Sequence, residues 1–195
     1  MNPLVSGDWL AAHLDDVVVV DVRPGYADGH VPGARHLSLD GDLADPATPG
    51  DGRHPLPTPE RFAAIDEVRE AAVLLDARAA GRFTGDAPDP ALDPRPGHIP
   101  GARSAPWHDN LDPATGLFRS PEELRARYEA LGVGGTTDVV AYCGSGVTAC
   151  HDLLALEVAG VGSTRLYVGS WSQWGSDRSR PAALGPDGEE RIAGV

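Results

Sequence analysis

Residues 139–160 read VVAYCGSGVTACHDLLALEVAG, and this stretch decides the fold. An apolar run that ends in a cysteine predicts a short buried strand over Asp138–Cys143. The glycine-rich residues 144–146 predict a tight loop, and the spacing of apolar residues after them predicts a helix over Val147–Ala159 that stops before Gly160. A strand that passes through a glycine loop into a helix is typical of a parallel α/β sheet.

The loop that follows Cys143 has the composition of an anion-binding site. Its glycines allow successive backbone N–H groups to converge, and the N-terminus of the next helix adds partial positive charge. Ligands of open parallel sheets bind at the carboxyl ends of the strands, so Cys143 is predicted to be a nucleophile that attacks an electrophilic sulfur. A buried structural cysteine is the alternative. A cysteine phosphatase is disfavoured, because its phosphate-binding arginine would fall on Ala149.

The second cysteine, Cys150, is predicted to have a structural role in the helix. Seven helical residues would separate it from Cys143 by a rise of about 10 Å, which is too far for a disulfide without movement. The helix is expected to bury one face, formed by Val147, Cys150, Leu153, Leu154 and Val158. Cys150 is therefore expected to pack in the core.

The chain contains an internal repeat. VVVVDVRPGYADGHVPGARHL (17–37) recurs as AVLLDARAAGRFTGDAPDPALDPRPGHIPGARSAPW (72–107), with Asp-x-Arg and Gly-His-x-Pro-Gly-Ala-Arg in both copies. Cys143 lies 45 residues after His98, whereas the same offset from His30 already falls inside the second copy. We therefore predict a partial unit over 1–65, a complete unit over 67–180 and a flexible tail over 181–195.

Capping residues and short apolar runs predict the positions of the other helices and strands. Ser120, Pro121 and Glu123 form a capping-box pattern that predicts a helix ending near Gly132, and Ser6 and Thr58 are expected to cap shorter helices. Three further short strands are predicted, over Val17–Val22, Val73–Ala77 and Arg165–Val168. The fold class is accordingly α/β, a parallel sheet flanked by helices that is preceded by a partial unit.

Composition excludes several classes of protein. The 195 residues carry a net charge of −13, so a general nucleic-acid or anionic-membrane binder is not expected. No apolar run reaches the roughly 20 residues of a membrane span. Two cysteines do not form a disulfide framework, which favours a reducing, cytoplasmic location. Metal-ligand, dinucleotide and Walker motifs are missing from the sequence, so no such cofactor is expected.

The motifs together resemble the tandem rhodanese-type sulfurtransferases, in the 3-mercaptopyruvate sulfurtransferase branch. The resemblance is carried by YADGHVPGARHL, PGHIPGARSAPW, CGSGVTAC and GSWSQW, and it covers about residues 4–175. It implies a rhodanese-like fold and a sulfurtransferase that moves a sulfane sulfur to a Cys143 persulfide and on to a thiol or cyanide. The uncharged Gly-Ser-Gly loop implies 3-mercaptopyruvate as the anionic donor, with thiosulfate as the alternative.

The resemblance also implies roles for individual residues. Asp40, His54 and Ser145 match the family's proton-transfer triad, and Arg82 matches the first of two substrate-binding arginines. The second arginine falls on Ala91, so Arg95 is the nearby substitute. The loop is expected to bind the substrate through Gly144, Gly146, Val147 and Thr148. His30 and His98 are expected to be structural, as are Trp171 and Trp174, at the core and the cleft wall.

The first unit departs from the family because its second half is missing. We expect it to expose apolar sheet surface and unpaired strand edges. It could pack against the second unit, exchange with a second chain as a swapped homodimer, or remain poorly ordered in a monomer. The alternatives to an active enzyme are a persulfide carrier that has lost turnover of small substrates, or a degenerate module.

Overall fold

The structure is a computed structural model that describes residues 4–38, 65–186 and 189–191, the last by backbone only. The helices are α1 Gly7–Ala12, α2 Ala80–Thr84, α3 Pro121–Ala130, α4 Ala149–Ala159 and α5 Ser170–Trp174. The strands are β1 Val20–Asp21, β2 Arg35–His36, β3 Val73–Asp76, β4 Arg103–Ser104, β5 Asp138–Tyr142, β6 Ser163–Leu166, β7 Ala182–Leu184 and β8 Glu189–Arg191. Short 3-10 turns lie at Tyr26–Asp28, Val68–Glu70 and Trp107–Asn110.

A four-stranded parallel sheet in the order β4-β3-β5-β6 organises the second half of the chain. Alternate residues of β3 point to opposite faces, so that Val73 and Leu75 pack with α3 and α4 while Leu74 packs with Trp171 and Trp174. Because both faces are covered, β3 is apolar up to Asp76. The predicted α/β class with a parallel sheet flanked by helices is confirmed.

Two of the three predicted helix caps lie in the described residues, and both are confirmed. The Ser120 hydroxyl accepts a hydrogen bond from the Glu123 N–H at 3.3 Å, and the Glu123 carboxylate accepts one from the Ser120 N–H at 2.9 Å. Ser6 caps α1 in the same way through the N–H of Trp9, at 3.1 Å. Thr58 lies outside the described residues. Within the described part of the chain, no helix has the length and apolarity needed to cross a membrane.

The buried face of α4 differs from the prediction. The helix begins at Ala149 rather than Val147, and it buries Ala149, Asp152, Ala155, Leu156 and Ala159. The expectation that Cys150 packs in the core is wrong, because this residue is exposed. Three of the five buried residues are alanines, whose small side chains allow α4 to pack closely in the core. The larger residues Leu153 and Leu154 are only half-buried.

The repeat seen in the sequence has the same local geometry in both copies. Asp21 accepts hydrogen bonds from the Arg23 guanidinium, which also donates to the Gly29 carbonyl at 2.9 Å. Asp76 and Arg78 form the same pair, and Arg78 donates to the Gly97 carbonyl at 2.8 Å. The parallel pairing is also equivalent, with β1 on β2 and β3 on β4.

The histidines of the two copies are also held alike. His30 stacks on Tyr26, with ring centroids 3.9 Å apart, and His98 stacks on Phe83 at 3.6 Å. Each histidine Nδ1 also lies within 3.0 Å of the carbonyl oxygen of its stacking partner. Both residues therefore hold the turns of their motifs, which is the structural role expected for them.

The two copies differ in what covers them. Val18, Val20 and Val22 are 72, 45 and 52% exposed, whereas their counterparts Val73, Leu75 and Ala77 are 4, 0 and 0% exposed. In the second copy this face packs against α3 and α4, and β5 pairs with the far edge of β3. Among the described residues the first copy forms only the two-stranded sheet β1-β2. The exposed apolar face expected for the first copy is therefore present.

The expectation of a flexible tail from residue 181 does not hold for the residues that follow it directly. Ala182 and Ala183 in β7 are buried, and β7 pairs antiparallel with β8. Ala183 also exchanges two backbone hydrogen bonds with His98, at 2.9 and 3.0 Å. These contacts tie the segment to the Gly-His motif of the second copy.

Candidate active site

Cys143 lies at the carboxyl end of β5, directly before the loop that enters α4. It is 2% exposed, and Gly144, Ser145 and Gly146 are also buried, whereas Val147 is exposed. Gly146 has a φ of +86°, and a Cβ there would lie 3.0 Å from the Val168 carbonyl oxygen. A side chain at position 146 would therefore strain the backbone and crowd Val168, which explains the glycine.

The helix that follows the loop contributes its N-terminus to the site. Thr148 is the N-cap residue and α4 continues for 11 residues to Ala159. The first N–H groups of a helix have no intrahelical acceptors and carry partial positive charge. A thiolate or persulfide at Cys143 would therefore lie beside a loop and a helix end that favour negative charge.

The segment GSWS (169–172) holds the start of the loop through three hydrogen bonds. The Trp171 N–H donates to the Cys143 carbonyl at 3.0 Å, and the Ser172 N–H donates to the Gly144 carbonyl at 2.9 Å. The Ser170 hydroxyl accepts a hydrogen bond from the Cys143 N–H at 3.1 Å. Sequence reasoning assigned Trp171 and Trp174 to the core, where they lie, but it missed Ser170.

Arg82 lies in α2 as part of a buried ion-pair cluster. Its guanidinium binds both carboxylate oxygens of Asp93, at 2.8 and 2.6 Å, and Arg78 reaches the same carboxylate at 3.2 Å. Asp93 has a lowered pKa, because hydrogen bonds from Arg82 and Asp89 and the charge of Arg78 outweigh burial. The Arg82 guanidinium therefore binds a carboxylate of its own chain, a partner that sequence reasoning missed.

Arg95 is buried beneath the indole ring of Trp171. Its guanidinium carbon lies 5.6 Å from the Trp171 ring centroid, and its Nη2 donates to the Arg180 carbonyl at 2.8 Å. No acceptor in the described residues contacts its Nε or Nη1. Burial and the charge of Arg178 lower the pKa of Arg95. Arg95 thus contacts the side chain of Trp171, whose backbone N–H binds the Cys143 carbonyl.

Of the three residues expected to transfer protons, Ser145 lies in the part of the chain that the structure describes. Ser145 is buried within the loop. Asp40 and His54 lie outside the described residues, so their placement relative to Ser145 stays a prediction. Among the described residues, His, Cys, Asp and Glu side chains form no group suited to hold a metal ion.

A buried polar cluster behind α4 was also missed by sequence reasoning. Asp152 is fully buried, accepts a hydrogen bond from the Asn110 amide at 2.7 Å, and has no partner for Oδ2 in the described part of the chain. The Tyr128 hydroxyl donates to the side-chain oxygen Oδ1 of Asn110 at 3.0 Å. Burial raises the pKa of Asp152 to about 7. The cluster joins α3, α4 and the turn Trp107–Asn110.

Comparison with known proteins identifies the relatives of this chain. Residues 58–177 match the model of the rhodanese-like domain. A probable 3-mercaptopyruvate sulfurtransferase of Pseudomonas aeruginosa is 55% identical over 113 residues, which are 57% of this chain and 39% of that protein. The human 3-mercaptopyruvate sulfurtransferase is 44% identical over 108 residues, 55% of this chain and 36% of that protein. The chain thus spans well under half of these relatives.

A third relative and two solved structures extend over more of the chain. The 3-mercaptopyruvate sulfurtransferase of Escherichia coli is 27% identical over 275 positions, covering 91% of this chain and 96% of that protein. Since 275 positions exceed the 195 residues by 80, that protein contains sequence with no counterpart here. The solved structure of the E. coli 3-mercaptopyruvate sulfurtransferase has the same fold, with a TM-score of 0.69 at 24% identity over 88% of this chain and 100% of that one. The 3-mercaptopyruvate sulfurtransferase of Leishmania major also has this fold, with a TM-score of 0.75 at 23% identity over 86% of this chain and 72% of that one.

Proposed function

The chain belongs to the family of rhodanese-like domains, and from this premise we propose that it is a sulfurtransferase with Cys143 as the sulfur-carrying nucleophile. The observation that carries the proposal is the position of Cys143 at the end of β5, directly before a buried glycine loop and the N-terminus of α4. A persulfide is an anion, and this environment favours one. The class of reaction, sulfur transfer, is taken from the relatives, which are named 3-mercaptopyruvate sulfurtransferases.

The proposed reaction has two sulfur-transfer steps. The Cys143 thiolate attacks the sulfur of 3-mercaptopyruvate, an S–S bond forms, and the C–S bond breaks to leave the enolate of pyruvate. The enolate takes up the proton that the donor thiol loses, and the enzyme is left as the Cys143 persulfide anion. A thiolate or cyanide acceptor then attacks the outer sulfur, and the electron pair of the S–S bond returns to Cys143 as thiolate.

The choice of donor rests on the loop. Residues Gly144, Gly146, Val147 and Thr148 are uncharged, which favours 3-mercaptopyruvate over the thiosulfate dianion. Proton transfer is assigned to Ser145 with His54 and Asp40, since a histidine oriented by a carboxylate is a suitable base. Arg82 is proposed to meet the donor's carboxylate through the part of its guanidinium that Asp93 does not occupy.

The proposal extends to partners and location. We expect a small anionic sulfur donor, a thiol or cyanide acceptor, no resident metal or organic cofactor, and a cytoplasmic location. The first unit is proposed to be a partial rhodanese-like unit, in a monomer or a swapped homodimer. Its exposed Val18, Val20 and Val22 support exchange with a second chain.

The test is steady-state sulfur transfer to cyanide, with 3-mercaptopyruvate and thiosulfate compared on one preparation. Cys143→Ser is expected to abolish thiocyanate formation, and Cys150→Ser is the matched control that retains it. His54→Ala is expected to slow the reaction if the first unit completes the site. Turnover that survives Cys143→Ser contradicts the proposal, and a folded protein that turns over neither donor supports the persulfide-carrier alternative instead.

A further inference from the structure

Ser170 has an unusual backbone conformation at the start of α5. Its φ is +52°, and it is the only residue other than glycine with a positive φ in the part of the chain that the structure describes. The left-handed region is unfavourable for residues with a Cβ, and such strain persists where the surroundings fix it. Ser170 is also completely buried, so its hydroxyl is enclosed by protein.

The Ser170 hydroxyl connects Tyr167, the residue after β6, to the nucleophile. It donates to the Tyr167 carbonyl at 2.9 Å and accepts from the Cys143 N–H at 3.1 Å. The Cys143 carbonyl meanwhile accepts from the Trp171 N–H at 3.0 Å. Both polar backbone groups of Cys143 are thus held by two consecutive residues of α5, and Ser170 makes its contact from the positive-φ conformation.

These contacts limit which backbone N–H groups can donate a hydrogen bond to the sulfur of Cys143. Because the Cys143 N–H is engaged by Ser170, it is not available to a persulfide at the same residue. Stabilisation of that anion would have to come from the glycine loop that follows Cys143, where the backbone N–H groups can converge. Rotation of the Cys143 backbone would move the sulfur relative to those groups and would break the bonds to Ser170 and Trp171.

We propose that Ser170 is a positioning residue for Cys143, whose buried hydroxyl fixes the nucleophile's backbone so that the sulfur faces the amides of the loop. This inference rests on the proposed sulfur transfer through Cys143. It predicts that loss of the hydroxyl lowers the rate of the chemical step more than it weakens substrate binding. A displacement of about 1 Å at a reacting group can cost roughly 100-fold in rate.

Two substitutions separate the hydroxyl from the backbone conformation. Ser170→Ala removes the hydroxyl and keeps the strain, whereas Ser170→Gly removes the hydroxyl and suits a positive φ. If the hydroxyl positions Cys143, both variants lose about 10- to 100-fold in kcat while KM changes by less than about 3-fold. Ser120→Ala is the stability control, because it removes the cap of α3 without touching the loop.

Alkylation of Cys143 by iodoacetamide, followed by mass spectrometry, provides a readout that does not depend on turnover. The rate at pH 7 is expected to fall about 10-fold in both Ser170 variants, because the thiolate is held less well by the amides. Ser120→Ala should react like the wild type. Wild-type kcat and alkylation rates in Ser170→Gly overturn the proposal. If the wild type forms no thiocyanate, the proposed function fails, and the alkylation rates alone decide the role of Ser170.

Discussion

Replacement of Asp152 by asparagine is expected to stabilise the protein at and above neutral pH. Asp152 is fully buried, and burial raises its pKa from 3.8 to about 7. Above pH 4 the unfolded chain loses this proton while the folded protein keeps it, so stability falls between about pH 4 and 7 and levels off above. Three pKa units correspond to roughly 4 kcal/mol.

The asparagine variant avoids the cost of ionising a buried carboxyl group, but it buries an amide NH₂ group without a partner in the described part of the chain. Its amide can still accept the bond from Asn110, but an NH₂ group would replace the carboxylate oxygen that has no partner among the described residues. An unsatisfied buried donor costs about 1–3 kcal/mol. The net gain of Asp152→Asn at pH 8 is therefore expected to be about 2 kcal/mol, and it should disappear or reverse below pH 5.

The assay is urea unfolding followed by tryptophan fluorescence at pH 5, 6, 7 and 8. The quantity to compare is the difference between variant and wild type, because burial also lowers the pKa values of His98 and His151, and their protonation adds its own pH dependence. Asp109→Asn is the matched control, since that carboxylate belongs to the same region but is about half exposed. Parallel pH profiles for wild type and Asp152→Asn would refute the reasoning.

Two further predictions concern packing and charge. Leu75→Ala should lower the free energy of unfolding by about 2–5 kcal/mol. The equivalent change in the first copy, Val20→Ala, should cost less than about 1 kcal/mol, because Val20 is 45% exposed. Equal losses in urea unfolding would contradict the difference in burial between the two copies. Asp93→Asn should cost about 3–5 kcal/mol, since it removes the charged partner shared by the buried Arg78 and the partly buried Arg82. An unchanged melting temperature would contradict this.

Local sequence patterns predicted the elements that local chemistry determines. The capping box at Ser120 and the strands around Leu75 and Val140 form as expected, because caps and buried apolar runs act over a few residues. The repeated Asp-x-Arg motif also indicated two equivalent geometries, and both copies have them. The position of Cys143 at the end of a strand followed from the same reasoning.

Long-range contacts account for most of what the sequence did not indicate. The burial of β7 depends on hydrogen bonds to His98, 85 residues earlier, and the occupation of Arg82 depends on Asp93 in an irregular loop. The buried face of α4 differs from the prediction because the glycine loop extends to Thr148, and because three alanines and Leu156, not Leu153 and Leu154, are fully buried. The serine of the GSW motif was the available signal for Ser170, but only the fold brings it to Cys143.

The most direct test of the central claim is mass spectrometry of the Cys143 peptide after the protein has reacted with 3-mercaptopyruvate and been freed of excess donor. The account predicts one additional sulfur atom on Cys143, present in Cys150→Ser, absent in Cys143→Ser, and released as thiocyanate when cyanide is added. A folded protein that gains no sulfur on Cys143, or that gains it elsewhere in Cys143→Ser and still forms thiocyanate, would contradict the assignment of Cys143 as the sulfur carrier.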